Sequence, residues 1–343
     1  MDTLLECTEH GTDANKGNMV GIQPYMTIPD YASEETYFGK LDGYFAEAAQ
    51  RGWFNARTIA VLPEYVATWL VVAGEWPSVL KARTTEGAMV GVILRNLGNF
   101  LRYFFIAKAK DRVKYAIFRM KADSVARIYH STFSRLAKKY GVTIVAGSVV
   151  LPAVETHGAT IRVVGEKLHN LTLVYQPSGI AYPKAVHKCY PTPAEMPFTE
   201  PGLEKDLPVY PTLAGRLGVL NCADSWYATT YQQLEGKIDF LAVPSYVDKD
   251  NDMGLPWRGN NIFPLPVEFD AKDFHRISYD DAWLKYAMPA RIHTARIKSG
   301  MNVFLRGKFW NMGSDGRSIL VHEGKLHRGT EGSSAVLQNL WLS

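Results

Sequence analysis

The sequence is poor in cysteine, with three in 343 residues, and Cys7, Cys189 and Cys222 form no CxxC and no paired spacing. That argues against a disulfide framework and a structural zinc site, and it points to a reducing compartment. His spacing of the HExxH kind and Gly-rich phosphate loops are missing too, so neither a metal nor an organic cofactor is expected. No stretch rich in Pro, Gly and Ser divides the chain, and no fixed-period repeat or low-complexity tract is present. The polar, acid-bearing N-terminus lacks the basic-then-apolar order of a secretion signal, which predicts a cytoplasmic protein. The formal net charge is only +4, with acids interspersed among the bases, too little to argue for nucleic acid.

Long apolar runs are also scarce. The one membrane-like segment, residues 87–107, contains Arg95 and Arg102, and a charge near the centre of a spanning helix costs about 3 kcal/mol or more. Val92, Ile93, Leu97, Phe100, Leu101 and Phe104 follow a helical stripe, so the segment reads as a buried amphipathic helix. Spanning is argued against and a membrane partner is not expected, although attachment to a membrane surface stays open.

What is there fits a globular chain with a sizeable core, 47% hydrophobic and 21% charged. Short apolar runs at 19–23, 58–62, 142–151, 216–221, 240–243, 302–305 and 318–321 read as strands, and 159–164 with 170–176 as a hairpin. Helical periodicity is expected over 37–51, most of 87–140, 227–235 and 281–299. The alternation predicts a layered α/β architecture. One domain is expected over 18–325, with a helical insertion near 87–140 and tails at 1–17 and 326–343.

Three motifs sit at the ends of expected strands, where α/β folds place reacting groups. VLPEY puts Glu64 at a strand exit, HKCYPTPAE holds Lys188 seven residues before Glu195, and GVLNCADSWY leads a strand into Cys222. Taken singly, each has an ordinary alternative: a polar strand end, a solvated base, a small core thiol.

Their order and context resemble the nitrilase superfamily of carbon–nitrogen hydrolases, whose pattern is a Glu, a Lys and a Cys in that sequence. VGIQP, HNLTLVYQPSG and GSDGRSILV resemble further strands of that family, and the likeness spans most of residues 20–321 outside the insertion. The resemblance implies a four-layer α-β-β-α sandwich and a homodimer or larger assembly. It implies Cys222 as nucleophile, Glu64 as general base, Lys188 as oxyanion stabiliser with the Ala223 N–H, and Glu195 as the acid holding Lys188 and the base in register. Tyr65, Tyr190 and Trp226 are expected to line a substrate pocket, with packing as their alternative role. Cys189 is expected to point away from Lys188 and to be structural.

The expected activity is an amidase-type hydrolysis of a small amide through a Cys thioester. Its alternatives are a nitrilase acting on a nitrile and an N-acyltransferase. The segment MPARIHTARIKSGMNVFLRG is similar to the soluble domain of apolipoprotein N-acyltransferases. After Cys222 the chain departs from the acidic or aromatic residue and Phe-Pro-Glu of many family members, which leaves the substrate open.

Overall fold

The computed structural model describes residues 5–247, 253–259, 262–332 and 334–343. In chain order its strands are β1 (Leu5–His10), β2 (Asn18–Gln23), β3 (Tyr25–Thr27), β4 (Thr58–Val61), β5 (Thr143–His157), β6 (Thr160–Tyr175), β7 (Val186–His187) and β8 (Val209–Pro211). There follow β9 (Arg216–Val219), β10 (Phe240–Ser245), β11 (Ser299–Phe304), β12 (Arg306–Phe309), β13 (Met312–Asp315), β14 (Ile319–His322), β15 (Lys325–Arg328) and β16 (Ala335–Trp341). The helices are α1 (Glu34–Gln50), α2 (Pro77–Leu80), α3 (Thr85–Arg95), α4 (Leu97–Ile106), α5 (Arg112–Tyr140), α6 (Ala228–Leu234), α7 (Tyr279–Tyr286) and α8 (Met288–Arg291).

Two twisted sheets carry the fold. One runs β1-β16-β2-β4-β5-β6-β7 and the other β15-β14-β11-β10-β9-β8, while β13-β12-β3 form a small third sheet. The strand pattern explains how they stack, because alternate residues face opposite sides. Met19, Ile59, Val61 and Val145 of the first sheet meet Leu217, Val219, Ala242 and Met301 of the second in one buried layer. The intervening residues Val20, Ile22, Ala60 and Leu62 point the other way, onto Leu41 and Phe45 of α1 and Val125, Tyr129 and Phe133 of α5. On the far side Leu241 and Val243 meet Tyr231 of α6 and Trp283 of α7. Three apolar layers between four structural ones give the expected α-β-β-α sandwich.

Local chemistry sets the helix limits. Ser33 caps α1 by accepting the Thr36 N–H at 3.2 Å, and Asp111 caps α5 by accepting that of Lys114 at 2.9 Å. Gly141 ends α5 in the left-handed region at φ +65°.

Several sequence expectations need correction. The presumed tails are structural: β16 lies inside the large sheet, parallel to β1 and antiparallel to β2. Trp341 Nε1 donates to Glu9 at 2.5 Å, and Asn18 Nδ2 donates to Asn339 at 2.6 Å. Short, partly polar strands are invisible to periodicity until their partners supply the other half of the ladder. Residues 159–164 and 170–176 are not a hairpin but parts of β6, whose partner along its length is β5. The single helix expected over 281–299 is broken at Ala287, which leaves helical geometry. The chain continues as α8, with Pro289 in its first turn, and a 3-10 turn at Ile292–Ala295, and Ser299 already begins β11.

The segment at 87–107 is two helices meeting at Asn96, and it is not buried. Val92 and Phe100 face inward, but Leu97 and Leu101 are exposed. No helix among the described residues is long and apolar enough to cross a membrane.

Candidate active site

Glu64, Lys188 and Cys222 stand just past the carboxyl ends of β4, β7 and β9, so the first two come from one sheet and the third from the other. The sandwich closes them onto one point. Lys188 Nζ donates to Glu64 Oε1 at 2.8 Å and to Glu195 Oε2 at 2.7 Å. The Cys222 thiol donates to the Tyr246 carbonyl at 3.7 Å, and it lies close enough to Glu64 for each group to shift the other's proton affinity. Glu64, Lys188 and Glu195 are each no more than 2% exposed, and Cys222 is 6% exposed.

The supporting residues were not legible in the sequence. Asn170, on β6, spends both protons of its side-chain amide here: Nδ2 donates to Glu64 Oε1 and to Glu195 Oε1, each at 2.8 Å. Its backbone carbonyl accepts the Lys188 N–H at 2.9 Å, which fixes the start of the Lys188 loop. Glu195 is further held by the Tyr65 hydroxyl at 2.5 Å and the Thr192 N–H at 2.7 Å. Asp224, fully buried, accepts the N–H groups of Cys189 at 2.9 Å, Tyr190 at 2.8 Å and Asn221 at 3.3 Å. One carboxylate thereby ties the Lys188 loop to the Cys222 turn. An Asp two residues past the Cys was the available signal, but nothing local marks its partners.

Backbone geometry aims these groups. Tyr65 and Cys222 both adopt positive φ, +60° and +50°. Side chains there cost about 1–3 kcal/mol each and persist where the surroundings enforce them. At Cys222 the turn opens a 3-10 helix, Cys222–Trp226, whose first N–H groups, that of Ala223 included, are left unused by the helix itself. Gly147 creates the seat for Glu64. A bulge interrupts β5 between Val145 and Ser148, and Gly147 sits there at φ +66°, where a Cβ would lie 2.1 Å from the Pro63 carbonyl oxygen. Ser148 then donates its N–H to that oxygen at 3.2 Å, and its hydroxyl accepts the Tyr65 N–H at 3.0 Å.

The electrostatics follow from two carboxylates sharing one ammonium out of water. Burial raises the Glu64 carboxyl above its ordinary value, with Lys188 opposing and Glu195 adding to the rise. Burial acts the same way on Glu195, but Lys188, Tyr65 and the Thr192 N–H outweigh it and hold that carboxyl below the usual range. Burial disfavours the Lys188 ammonium, yet Glu195 and Glu64 overcome this and keep it firmly charged. The Cys222 thiol is pushed well up by burial and then by Glu64, so it rests protonated against a carboxylate.

The remaining residues expected at the site are placed as follows. Tyr65 is half-buried beside Tyr246, with ring centroids 5.5 Å apart. Tyr190 is half-buried, stacked face to face on Tyr227, and its hydroxyl donates to Glu204 at 2.6 Å. Trp226 is not brought to the pocket: it is fully buried among Trp257, Tyr279 and Trp283 in the outer helical layer. Four residues past Cys222, at the end of the 3-10 turn, this large indole joins the apolar cluster of the outer layer. Cys189 is buried, its thiol toward the His187 carbonyl at 3.6 Å.

Neither a family model nor a curated protein matches the sequence. Solved structures do. A cysteine-to-serine variant of the Nesterenkonia AN1 amidase from the nitrilase superfamily superposes with TM-score 0.57 at 13% identity, covering 97% of this chain and 94% of that one. A glutamate-to-glutamine variant of that amidase, with acrylamide added at its active-site cysteine, gives 0.56 at 13% identity over 95% and 93%. A cysteine-to-alanine variant in complex with butyramide gives 0.55 at 13% identity over 95% and 92%. The chain therefore has the fold of the amidases of the nitrilase superfamily.

Proposed function

We propose that the protein is an amidase-type hydrolase that cleaves the C–N bond of a small amide through a thioester on Cys222. The observation that carries this reading is the meeting of one buried thiol, one carboxylate and one ammonium, with Lys188 Nζ donating to Glu64 at 2.8 Å and the Cys222 thiol electrostatically coupled to both.

A protonated thiol against a carboxylate suits a proton transfer timed with attack. Glu64 takes the proton as Cys222 sulfur bonds to the amide carbon, and the carbonyl oxygen becomes an oxyanion beside Lys188 Nζ and the Ala223 N–H. Glu64 returns the proton to the departing nitrogen, the C–N bond breaks, and an amine or ammonia leaves a thioester behind. Glu64 then deprotonates a water that attacks the thioester, and the acid and the free thiol are released. Glu195 and Asn170 act on Glu64 and Lys188 as positioning residues. The raised Glu64 carboxyl favours this work, since a base is most effective when its pKa approaches the working pH.

Short aliphatic amides are the first substrates to try, because the amidase of like fold holds acrylamide and butyramide. Purified protein releases ammonia from one of them, and Cys222→Ala abolishes the release while keeping the far-UV circular dichroism. Full activity in the alanine variant would remove Cys222 from the chemistry.

A further inference from the structure

Helices α3 and α4 present an outward face that a water-surrounded surface does not explain. Val90, Leu94, Leu97, Leu101, Phe105 and Ile106 are all exposed, Phe105 to 73% and Leu94 to 61%. Leu97, Leu101 and Phe105 recur every fourth residue, so they form one row along α4. A contiguous apolar patch of this kind marks an interaction surface.

The face is held rigidly from behind. Val92 and Phe100 are buried beneath it, and Arg119 of α5 lies 4.9 Å from the Tyr103 ring centroid. At the junction of the two helices Asn96 donates to Glu75 at 2.9 Å, and Glu75 pairs with Lys121 of α5 at 2.6 Å.

Charge identifies the occupant. Residues 76–114 carry eight Lys and Arg against two acids, a net +6 within a chain whose total is +4. Arg95, Arg102, Lys108, Lys110 and Arg112 are exposed on or beside the apolar row. Arg95 is paired with Glu75 at 3.7 Å, and a second copy of the chain placed face to face would bring the other bases together with only Glu86 and Asp111 of each copy to offset them. A bilayer surface with anionic lipids offers hydrocarbon to the row and negative charge to its rim at adjacent depths. Neither helix can span it: α4 has ten residues, about 15 Å of helix against about 30 Å of hydrocarbon.

We propose that the α3–α4 face docks the protein onto an anionic membrane surface, lying in the interface plane. The Arg residues that argue against a spanning segment are, in this geometry, the contacts to headgroups. This inference does not depend on the amidase reading.

Co-sedimentation of the full chain with vesicles tests it. The protein pellets with vesicles of phosphatidylcholine mixed with phosphatidylglycerol and not with phosphatidylcholine alone. Raising salt from about 50 to about 500 mM weakens the binding about tenfold or more. Leu101→Glu with Phe105→Glu, and separately Arg102→Glu with Lys108→Glu, each weaken it by a similar factor while circular dichroism stays unchanged. Three results would overturn the proposal: no pelleting with the anionic vesicles, binding by both variants as tight as that of wild type, or a wild-type dimer that the Leu101/Phe105 variant splits while neither binds vesicles.

Discussion

The carboxylate of Asp224 accepts the backbone N–H of Tyr190 at 2.8 Å across the gap between the Lys188 loop and the Cys222 turn. The distance from Lys188 to Cys222 is thereby set by a group that touches neither. Burial, opposed by Lys188 and three N–H donors, pushes this carboxyl up to about 7. A carboxyl raised in this way keeps its proton in the fold where the unfolded chain has lost it, so its contribution to stability falls as pH rises from about 4 to about 7. Asp224→Asn has no such proton. Its melting temperature gains on that of wild type across that window, read by calorimetry at stepped pH, and a constant difference would show that Asp224 does not titrate there. The same variant loosens the clamp, and its kcat falls about tenfold or more.

Asn170→Ala removes one donor from Glu64 and one from Glu195. With less hydrogen bonding to the charged form, the Glu64 carboxyl rises further, so the acid limb of kcat/KM moves to higher pH by about one unit. A limb that stays in place would show that Asn170 serves packing alone.

Glu195→Gln should move that limb the other way. Glu195 is a like charge that raises Glu64, and its neutralisation lets Glu64 ionise more easily, so activity persists to lower pH. The maximal rate nevertheless drops, by roughly 10- to 100-fold, as Lys188 loses its second anchor. An upward shift in the limb would contradict the charge pattern described here.

Gly147→Ala places a methyl group 2.1 Å from the Pro63 carbonyl oxygen, on a backbone at φ +66°. The left-handed backbone costs about 1–2 kcal/mol and the overlap about 1–3 kcal/mol more. Denaturant unfolding should register a loss of about 2–5 kcal/mol, with reduced activity because Pro63 carries Glu64. An alanine variant of wild-type stability would mean that the bulge relaxes freely.

The sequence made Glu64 and Cys222 legible because each closely follows a short apolar strand, a local feature, and Lys188 legible through its seven-residue spacing to Glu195 and the order of the three motifs. Glu195 was readable only through its spacing from Lys188. Asn170, Ser148 and Asp224 were hidden because their value lies in partners 25 to 106 residues away or in backbone N–H groups, which carry no residue code. The α3–α4 stripe illustrates a different limit. Periodicity separates two faces of a helix but does not say which one the rest of the chain covers, and here much of the apolar side was left open. Likewise β1 and β16 carry no strong alternation, and only the sheet itself identifies them.

The place of β16 bears on how the chain is made. It lies between β1 and β2, and Val336 pairs with Gln23 across more than 300 residues. During translation at about 5–20 residues per second, the β2 edge waits on the order of 15–60 s for its neighbour to emerge. Throughout that interval a fully buried strand of the finished protein has an unpaired flank, a template for aggregation. Efficient production should therefore depend on holding chaperones or on slowed, cooled synthesis, and the large sheet should close late, after the helices on its outer side have formed.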